Sequence, residues 1–424
     1  MSPWRISAAR PSGPLLAVLL AGLGLPAQAG PDGSAVSLFA TRPYSLDGAA
    51  KYEAAFFEQV SLFTPGTDLG PLGDARVVVR GWGRALAGDA MYGSQNTGDI
   101  DVAYIEGRVF DKHLQIRVGR QLLTGGAVRN VQLDGMSFAA KVWRGLGVEI
   151  YGGSPVTPRL NFSRGNALAG GRVFYRLGFD AEVGASYVYA QEDGSLTRSD
   201  FALDAWWRAS QQVTLGGNAQ WSLYESRFAE GRLLATWQAN RTWQITADAA
   251  RTAPDLFLAR NSIFSVFSEE RRDEGGAEVA YRLGPALSAY LEGHLTSVEA
   301  GSGWHTGGKL TWRPEPVRAP GTTLGAEVKL LDEPANGFEE LRLFVLHRFP
   351  YQISSTLELD GYRLNHAVNG RMSSFIAVAT AGMPFATNWD AMVSCSLGTT
   401  PYLERRTDFS ARVVWHFGGP GGRP

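Results

Sequence analysis

The chain has 424 residues, of which 44% are hydrophobic and 19% are charged, and its formal net charge at pH 7 is -1. This near balance excludes the strongly basic surface by which proteins bind nucleic acids. Cys395 is the single cysteine, which excludes a disulfide framework and a multi-cysteine metal site. Glycine is abundant at 51 residues and aromatic residues reach 11%, a mixture typical of a protein rich in tight turns.

The chain begins with the pattern of a secretory signal peptide. Arg5 and Arg10 charge its start, and Pro14–Leu25 form a short apolar run. Ala27-Gln28-Ala29 follows with the small-x-small form of a cleavage site. Because the apolar run is too short to span a bilayer, we predict that residues 1–29 are a signal peptide and that residue 30 begins the mature chain.

From Tyr52 onward the sequence repeats one unit, in which roughly ten residues of alternating polar and apolar side chains are followed by a turn. The most legible predicted hairpins are Asp99–Phe110 with His113–Leu122, Ala169–Leu177 with Asp180–Ala190, and Glu274–Leu283 with Ala286–Glu299. We predict about 21 strands here, and Val36–Tyr44 adds one, because a barrel with both chain ends in the periplasm needs an even number. Counts of 18 or 20 remain open.

Each predicted strand has one apolar face, yet the sequence has no helices and no second layer to cover so long a sheet. No mature segment approaches the ~20 apolar residues that a transmembrane helix needs. We therefore predict an all-β fold, a transmembrane antiparallel β-barrel of about 22 strands at residues 30–417, with its apolar face in lipid. The predicted location is the outer membrane of a Gram-negative bacterium, with residues 418–424 as a short periplasmic tail.

The last strand, Thr407–Phe417, shows the clearest alternation. Phe409, Val413, Trp415 and Phe417 fall on one face of it. An apolar C-terminal face of this kind is typical of the signal that the barrel-assembly machinery reads. We therefore predict these four residues as the assembly signal, with that machinery and outer-membrane lipid as partners.

Phasing the strands by their apolar side chains assigns the other side chains to the lumen. A barrel of this size is too wide for side chains to fill, so we predict a wet interior. Arginines concentrate early in the chain and carboxylates later, which predicts one basic wall and one more acidic wall. The predicted pore-lining residues are Arg76, Arg80, Arg84, Arg108, Arg117, Arg120, Arg129, Asp134, Glu327, Glu358 and Asp360.

The stretch Leu114–Gly153 carries a distinctive series of turn and charged residues. A strand ends in Gly119-Arg120-Gln121, then Gly125-Gly126 and Arg129 follow, and Asp134-Gly135 opens the next strand. Over about forty residues this stretch resembles the alginate-export type of outer-membrane barrel. The resemblance implies polysaccharide export, with Arg120, Arg129 and Asp134 lining or bracing the pore entrance.

Arg120 presents a problem for simple alternation. Counting from Gln115 and Arg117 directs Arg120 toward lipid, where a charge is costly. We therefore predict a β-bulge at Gly119 that turns Arg120 inward, to meet Asp134 or the following loop.

The sequence shows no pattern of catalysis. The six histidines, His113, His294, His305, His347, His366 and His416, lack the spacing of metal ligands. No Ser, His and Asp group clusters in one loop. We therefore predict no catalytic residues, no metal and no cofactor, and expect that the protein is not an enzyme. The absence of a plug-sized segment before the first strand counts against a TonB-dependent receptor.

Together these patterns predict a passive outer-membrane channel, most concretely one that exports a polysaccharide, with the polymer and a periplasmic co-polymerase as candidate partners. The basic wall is then a binding track for an anionic or polyhydroxylated solute, although ordinary hydrated lumen charge would look the same. Two alternatives stay open. One is a general or substrate-specific diffusion porin for small hydrophilic solutes. The other is a non-conducting barrel that anchors a periplasmic partner through Arg313–Gly321 and the tail Gly418–Pro424.

Overall fold

A computed structural model describes residues 32–46, 49–68, 70, 73–88, 96–156, 166–256, 271–314, 321–334 and 336–418. The predicted signal peptide and nearly all of the predicted tail lie outside these residues, as does most of the segment Arg313–Gly321. Among the described residues, no helix is long and apolar enough to cross a membrane.

The described chain forms one closed antiparallel β-barrel of 22 strands. In chain order the strands are β1 (Asp32–Leu46), β2 (Ala49–Phe63), β3 (Asp74–Gly88), β4 (Asn96–Val109), β5 (Leu114–Gly125), β6 (Arg129–Trp143), β7 (Leu146–Pro155), β8 (Ala167–Leu177), β9 (Ala181–Glu192), β10 (Ser195–Arg208), β11 (Val213–Ser222), β12 (Arg227–Trp237), β13 (Trp243–Thr252), β14 (Arg272–Leu283), β15 (Leu287–Val298), β16 (Gly301–Trp312), β17 (Thr322–Asp332), β18 (Phe338–Arg348), β19 (Ser354–Val368), β20 (Arg371–Ala386), β21 (Trp389–Thr399) and β22 (Arg405–Phe417). A two-residue strand, Thr67–Asp68, pairs with the start of β3. The predicted fold class and strand count are confirmed.

The first and last strands close the sheet on itself. β1 pairs with β22 in a register that runs from Gly33 opposite Phe417 to Ser45 opposite Arg405. Closure leaves no sheet edge among the described strands, so most of their backbone donors and acceptors are paired with neighbouring strands, as a hydrocarbon environment requires. The predicted extra strand at Val36–Tyr44 lies inside β1 and makes the number even.

The outer face of the barrel is apolar and exposed. Leu233, Leu291 and Leu295 expose 67%, 61% and 71% of their surface. Such a surface is unfavourable in water and favourable in lipid. Outward-facing tryptophans encircle the end that carries both chain termini: Trp143, Trp237, Trp243, Trp312, Trp389 and Trp415. A belt of this kind is typical of a membrane–water interface.

The residues of the predicted assembly signal follow this pattern. Phe409 and Trp415 are exposed on the outer face of β22, and Val413 lies between them on that face. The Trp415 ring stacks on Trp389 at 5.6 Å between centroids and contacts Phe417 at 4.9 Å. The apolar stripe is therefore continuous with the tryptophan belt, and its role in assembly stays a prediction.

Candidate functional site

A short turn between β5 and β6 identifies the inner face of the sheet. This turn, Gly126–Val128, hydrogen-bonds to side chains on β9, β10 and β11 rather than to its neighbours in the barrel. Contacts that skip several strands of a closed sheet run across its concave side. The face that carries Ser186, Arg198 and Gln220 is therefore the lumen face, and strand register extends this assignment around the barrel.

The inward turn is buried against the wall that it contacts. Ala127 and Val128 expose 0% and 3% of their surface and pack with apolar side chains of the lumen face. The Ala127 amide donates to Ser186 Oγ at 2.8 Å, and Arg198 donates to the Ala127 carbonyl oxygen. Gly126 has φ +56°, and a Cβ there would lie 2.6 Å from Ser186 Oγ. Glycine therefore favours both this backbone conformation and the close contact with Ser186, and the turn lies inside the lumen and narrows it.

Arg129 fixes the base of the turn. Its Nε donates to Gln220 Oε1 at 3.2 Å, and its guanidinium forms an ion pair with Glu230. Gln220 in turn donates to Asp200, which also accepts from Arg198. Because this network crosses from β6 to β12, it holds the turn to the far wall with charged hydrogen bonds.

The predicted basic wall is present on the inner face of β3, β4 and β5. Its centre is the side chain of Glu106, which is completely buried. Arg76 Nη2 lies 2.9 Å from Glu106, Arg108 Nη2 lies 3.0 Å from it, and Arg117 Nε lies 2.8 Å from it. One carboxylate thus serves three guanidinium groups, and the cluster keeps a net positive charge.

Toward its C-terminal end β3 continues this wall, and the arginines there have fewer carboxylate partners. Arg80 lies 3.4 Å from Asp101, and Arg84 Nε is buried with no hydrogen-bond partner. Trp82 lies between these two arginines on the same face and stacks on Phe57 of β2, with 5.7 Å between ring centroids. The lumen face of β3 therefore alternates guanidinium groups with an aromatic pair.

The carboxylates predicted for the later wall are on the lumen face of β17 and β19, but cations are interleaved with them. Glu327 lies 3.1 Å from Lys329, 3.5 Å from Lys309 and 3.6 Å from Arg342. The Arg342 side chain also reaches Glu358 at 2.7 Å and Asp360 at 3.6 Å. This wall is therefore a mixed ion-pair network, less acidic than a simple count of carboxylates predicts.

The prediction for Arg120 and Asp134 is wrong in one respect. The register of β5 with β4 and with β6 runs through Gly119 without a shift, so the predicted bulge is absent. Arg120 stays on the face opposite Arg117, and so does Asp134, its direct partner on β6. Neither residue lines the lumen, because the side chains alternate without a register shift over Leu114–Gly125 and the residues 129–140 that pair with it.

Arg120 and Asp134 instead brace a gap in the barrel wall. The pairing of β4 with β5 ends at Ala103 and Arg120. Beyond it, Arg120 binds Asp134 through two hydrogen bonds of 2.8 and 2.9 Å and donates to the Ile100 carbonyl oxygen at 3.1 Å. Gln132 donates to the Asp101 carbonyl oxygen at 2.6 Å. Side chains thus satisfy backbone acceptors that the ladder leaves open, which matters in a membrane wall.

Sequence reasoning missed Glu106 and Gln132. Glu106 could have been found, because alternation puts it on the same face as Arg108 within a predicted strand. Gln132 carried no such signal, since its importance comes from a gap between strands. Alternation does place Gln220 in the lumen, but its contacts depend on the position of the inward turn and were not predicted.

No protein-family model matches the chain, and no curated protein matches it in sequence. Among solved structures, the P pilus usher (PapC) translocation pore is similar with a TM-score of 0.56 and 9% identity, covering 90% of this chain and 99% of that one. The siderophore receptor PirA from Pseudomonas aeruginosa is similar with a TM-score of 0.56 and 12% identity, covering 91% and 80%. Pseudomonas aeruginosa OccK5 (OpdH) has a TM-score of 0.45 at 10% identity, with 92% and 98% covered.

At these identities, the likeness to the usher pore and PirA shows the fold alone, which is that of outer-membrane β-barrels. None of the three structures is of the alginate-export type. That resemblance stays a prediction.

Proposed function

We propose that the protein is a passive channel of the Gram-negative outer membrane and that it passes an anionic or polyhydroxylated polysaccharide outward along its basic wall. The observation that carries the proposal is the lumen face of β3, which presents Arg76, Arg80 and Arg84, with Trp82 between the last two. Successive inward positions on a strand are ~6.8 Å apart. This spacing suits a polymer that meets several weak contacts at once.

The chemistry of these side chains matches a sugar polymer. Guanidinium groups bind carboxylates and hydroxyls through several donors held in a fixed geometry. The stacked Trp82 and Phe57 rings offer an apolar surface to the C–H face of a sugar ring. In a wet lumen each contact is screened and weak, so a chain can gain from many contacts without being held at any one.

The narrowing by the inward turn specifically favours the second candidate, a diffusion porin for small hydrophilic solutes. Such a channel uses the same lumen, and its basic wall would select anions of limited size. A non-conducting barrel that anchors a periplasmic partner is the third candidate. The three candidates differ in what they pass, so conductance and surface polysaccharide together separate them.

The test replaces Arg76, Arg80 and Arg84 together with Gln in protein reconstituted into planar bilayers. An anion about 7 Å from a guanidinium in water gains about 0.6 kcal/mol, and salt at 0.1 M roughly halves that value. Because consecutive arginines of this set are four residues, or about 13.6 Å, apart along the strand, an anion lies near at most two of them, which gives about 0.6 kcal/mol, or roughly a threefold difference in local anion concentration. We expect the reversal potential in a salt gradient to shift accordingly, and surface polysaccharide in the native host to fall.

A matched control removes three positive charges outside the lumen, with Arg144, Arg241 and Arg363 changed to Gln. Arg144 and Arg241 lie exposed in turns, and Arg363 is exposed on the outer face. This control should leave selectivity and polysaccharide unchanged.

Three results would each argue against polysaccharide export along the basic wall. A changed selectivity with normal polysaccharide favours the diffusion porin. No conductance in the wild type favours the structural barrel. An unchanged selectivity and unchanged polysaccharide in the Arg76, Arg80 and Arg84 variant would remove the basic wall as support for transport. Trp82→Ala adds a finer test, because it should reduce polysaccharide export while leaving ion selectivity as it is.

A further inference from the structure

We propose that the lumen wall carries a binding site for one divalent transition-metal ion, of the Zn2+ or Cu2+ kind. The site lies on the inner face of four consecutive strands, β13 to β16. Its candidate ligands are Glu274, His294 and His305, with Asp248 and Glu278 in reach of the same imidazole. The inference does not depend on what the channel transports.

Strand register brings these residues together. Asp248 lies opposite Gly276, Gly276 lies opposite His294, and His294 lies opposite His305, which makes one row across the four strands. Neighbouring strands are about 4.8 Å apart, so side chains in such a row touch. The linear sequence gives no sign of the group, because Glu274, His294 and His305 lie on three different strands.

Gly276 makes room for the His294 ring. A Cβ at position 276 would lie 2.4 Å from both Cγ and Nδ1 of His294. The imidazole ring therefore packs directly against the backbone of β14 at Gly276. Its Nδ1 is directed toward Asp248 on β13. A larger residue at 276 would lift the ring out of this position.

His294 presents a buried nitrogen without a hydrogen bond. Its side chain is only 7% exposed, and Nδ1 has no hydrogen-bond partner. Nδ1 lies 3.8 Å from Asp248 Oδ1 and 3.8 Å from Glu274 Oε1. These distances are too long for hydrogen bonds. A buried, unpaired polar atom is unfavourable, and a cation held between the nitrogen and the carboxylate oxygens would satisfy all of them.

His305 completes the donor set from the other side. Its ring stacks on that of His294 with 4.5 Å between centroids and an angle of 10° between planes. The ligand atoms of Glu274, His294 and His305 lie within 4.8 Å of one another. Tetrahedral zinc needs ligand atoms about 3.3 Å apart, so metal binding requires the two nearly parallel rings to tilt until a nitrogen of each points at the ion. Imidazole with carboxylate is a donor set that suits Zn2+ and Cu2+.

One neighbouring cation shares the site's carboxylate. Arg272 Nε lies 3.2 Å from Glu274 Oε2, and its Nη2 lies 2.9 Å from Glu333. Arg272 therefore engages the oxygen of Glu274 that faces away from His294. The other oxygen, Oε1, is the one directed at the imidazole.

The test titrates Zn2+ into the refolded, chelator-stripped full-length barrel against a chromophoric competitor. We expect one Zn2+ per chain, and about a tenfold or greater loss of affinity in His294→Asn, His305→Asn and Gly276→Ala. Gly276→Ala keeps every ligand, but its methyl group would displace the ring and also the Gly293 carbonyl oxygen, which lies 2.3 Å from the added Cβ. Cu2+ electron paramagnetic resonance supplies a second readout, since His305→Asn should remove one of two coupled nitrogens.

His416→Asn is the matched control. It removes a lumen-face imidazole that lies 3.1 Å from a single carboxylate, Asp390, and it should leave Zn2+ affinity unchanged. Heat-modifiable migration in gels confirms that each variant is folded, and if His294→Asn fails to fold, the His305→Asn titration decides. The absence of stoichiometric Zn2+ binding by the wild type would overturn the proposal. So would equal affinity in the wild type and in the folded His305 variant.

Discussion

The buried carboxylate of Glu106 organises the basic wall, and its replacement by Gln offers a sharp test of that arrangement. Glu106→Gln keeps the size of the side chain and removes its charge. Arg76, Arg108 and Arg117, each within 3.0 Å of the carboxylate, would then face one another without a shared anion. We expect the barrel to fold and to lose stability.

The expected loss in the free energy of unfolding depends on how deeply the charged groups are buried. Removing one partner of a fully buried ion pair costs about 3–5 kcal/mol. Here the carboxylate is buried, but the three arginine side chains are 33–39% exposed and can turn toward lumen water. We therefore expect a smaller loss, about 2–3 kcal/mol in the free energy of unfolding, close to one strong charged hydrogen bond.

The assay is urea unfolding of the barrel in lipid vesicles, followed by tryptophan fluorescence. Combining Glu106→Gln with Arg117→Gln should restore about half of the lost stability, because it removes part of the repulsion among like charges. Asp101→Asn is the control, since Asp101 is 35% exposed and pairs with one arginine at 3.4 Å, and it should change stability by less than about 0.5 kcal/mol. A Glu106→Gln barrel as stable as the wild type, or a double variant less stable than the single one, would refute the reasoning.

Two further predictions concern the outer face. Leu233→Arg should cost about 2–4 kcal/mol, because this outward residue lies four residues from Trp237 of the belt and so near the bilayer midplane, whereas Arg at the inward position Asn218 should be nearly neutral. The same unfolding titration measures both, and equal tolerance would contradict the assignment of faces. Combining Trp415→Ala with Phe417→Ala should lower the amount of heat-modifiable protein in outer membranes, and a normal amount would exclude this strand as the assembly signal.

The sequence by itself determined the strands, the turns and the two faces of this protein. An extended chain places successive side chains on opposite sides, so alternation along β11 or β22 predicts which residues meet lipid without any knowledge of their neighbours. The same local rule, combined with the need to leave no edge, predicts a closed barrel, and placing both chain ends on the periplasmic side predicts an even number of strands.

Only the tertiary structure decided which side chains on a face meet one another. The inward turn joins Ala127 to Ser186, 59 residues away, and Arg129 to Gln220, 91 residues away. Strand register decided that Arg120 meets Asp134 outside the lumen. It also brings His294 beside His305, which lies opposite it on the next strand. Alternation is a property of each strand alone, whereas these contacts depend on how strands pair around the barrel and on where a turn folds. No local sequence pattern predicts how the strands pair or where the turn folds.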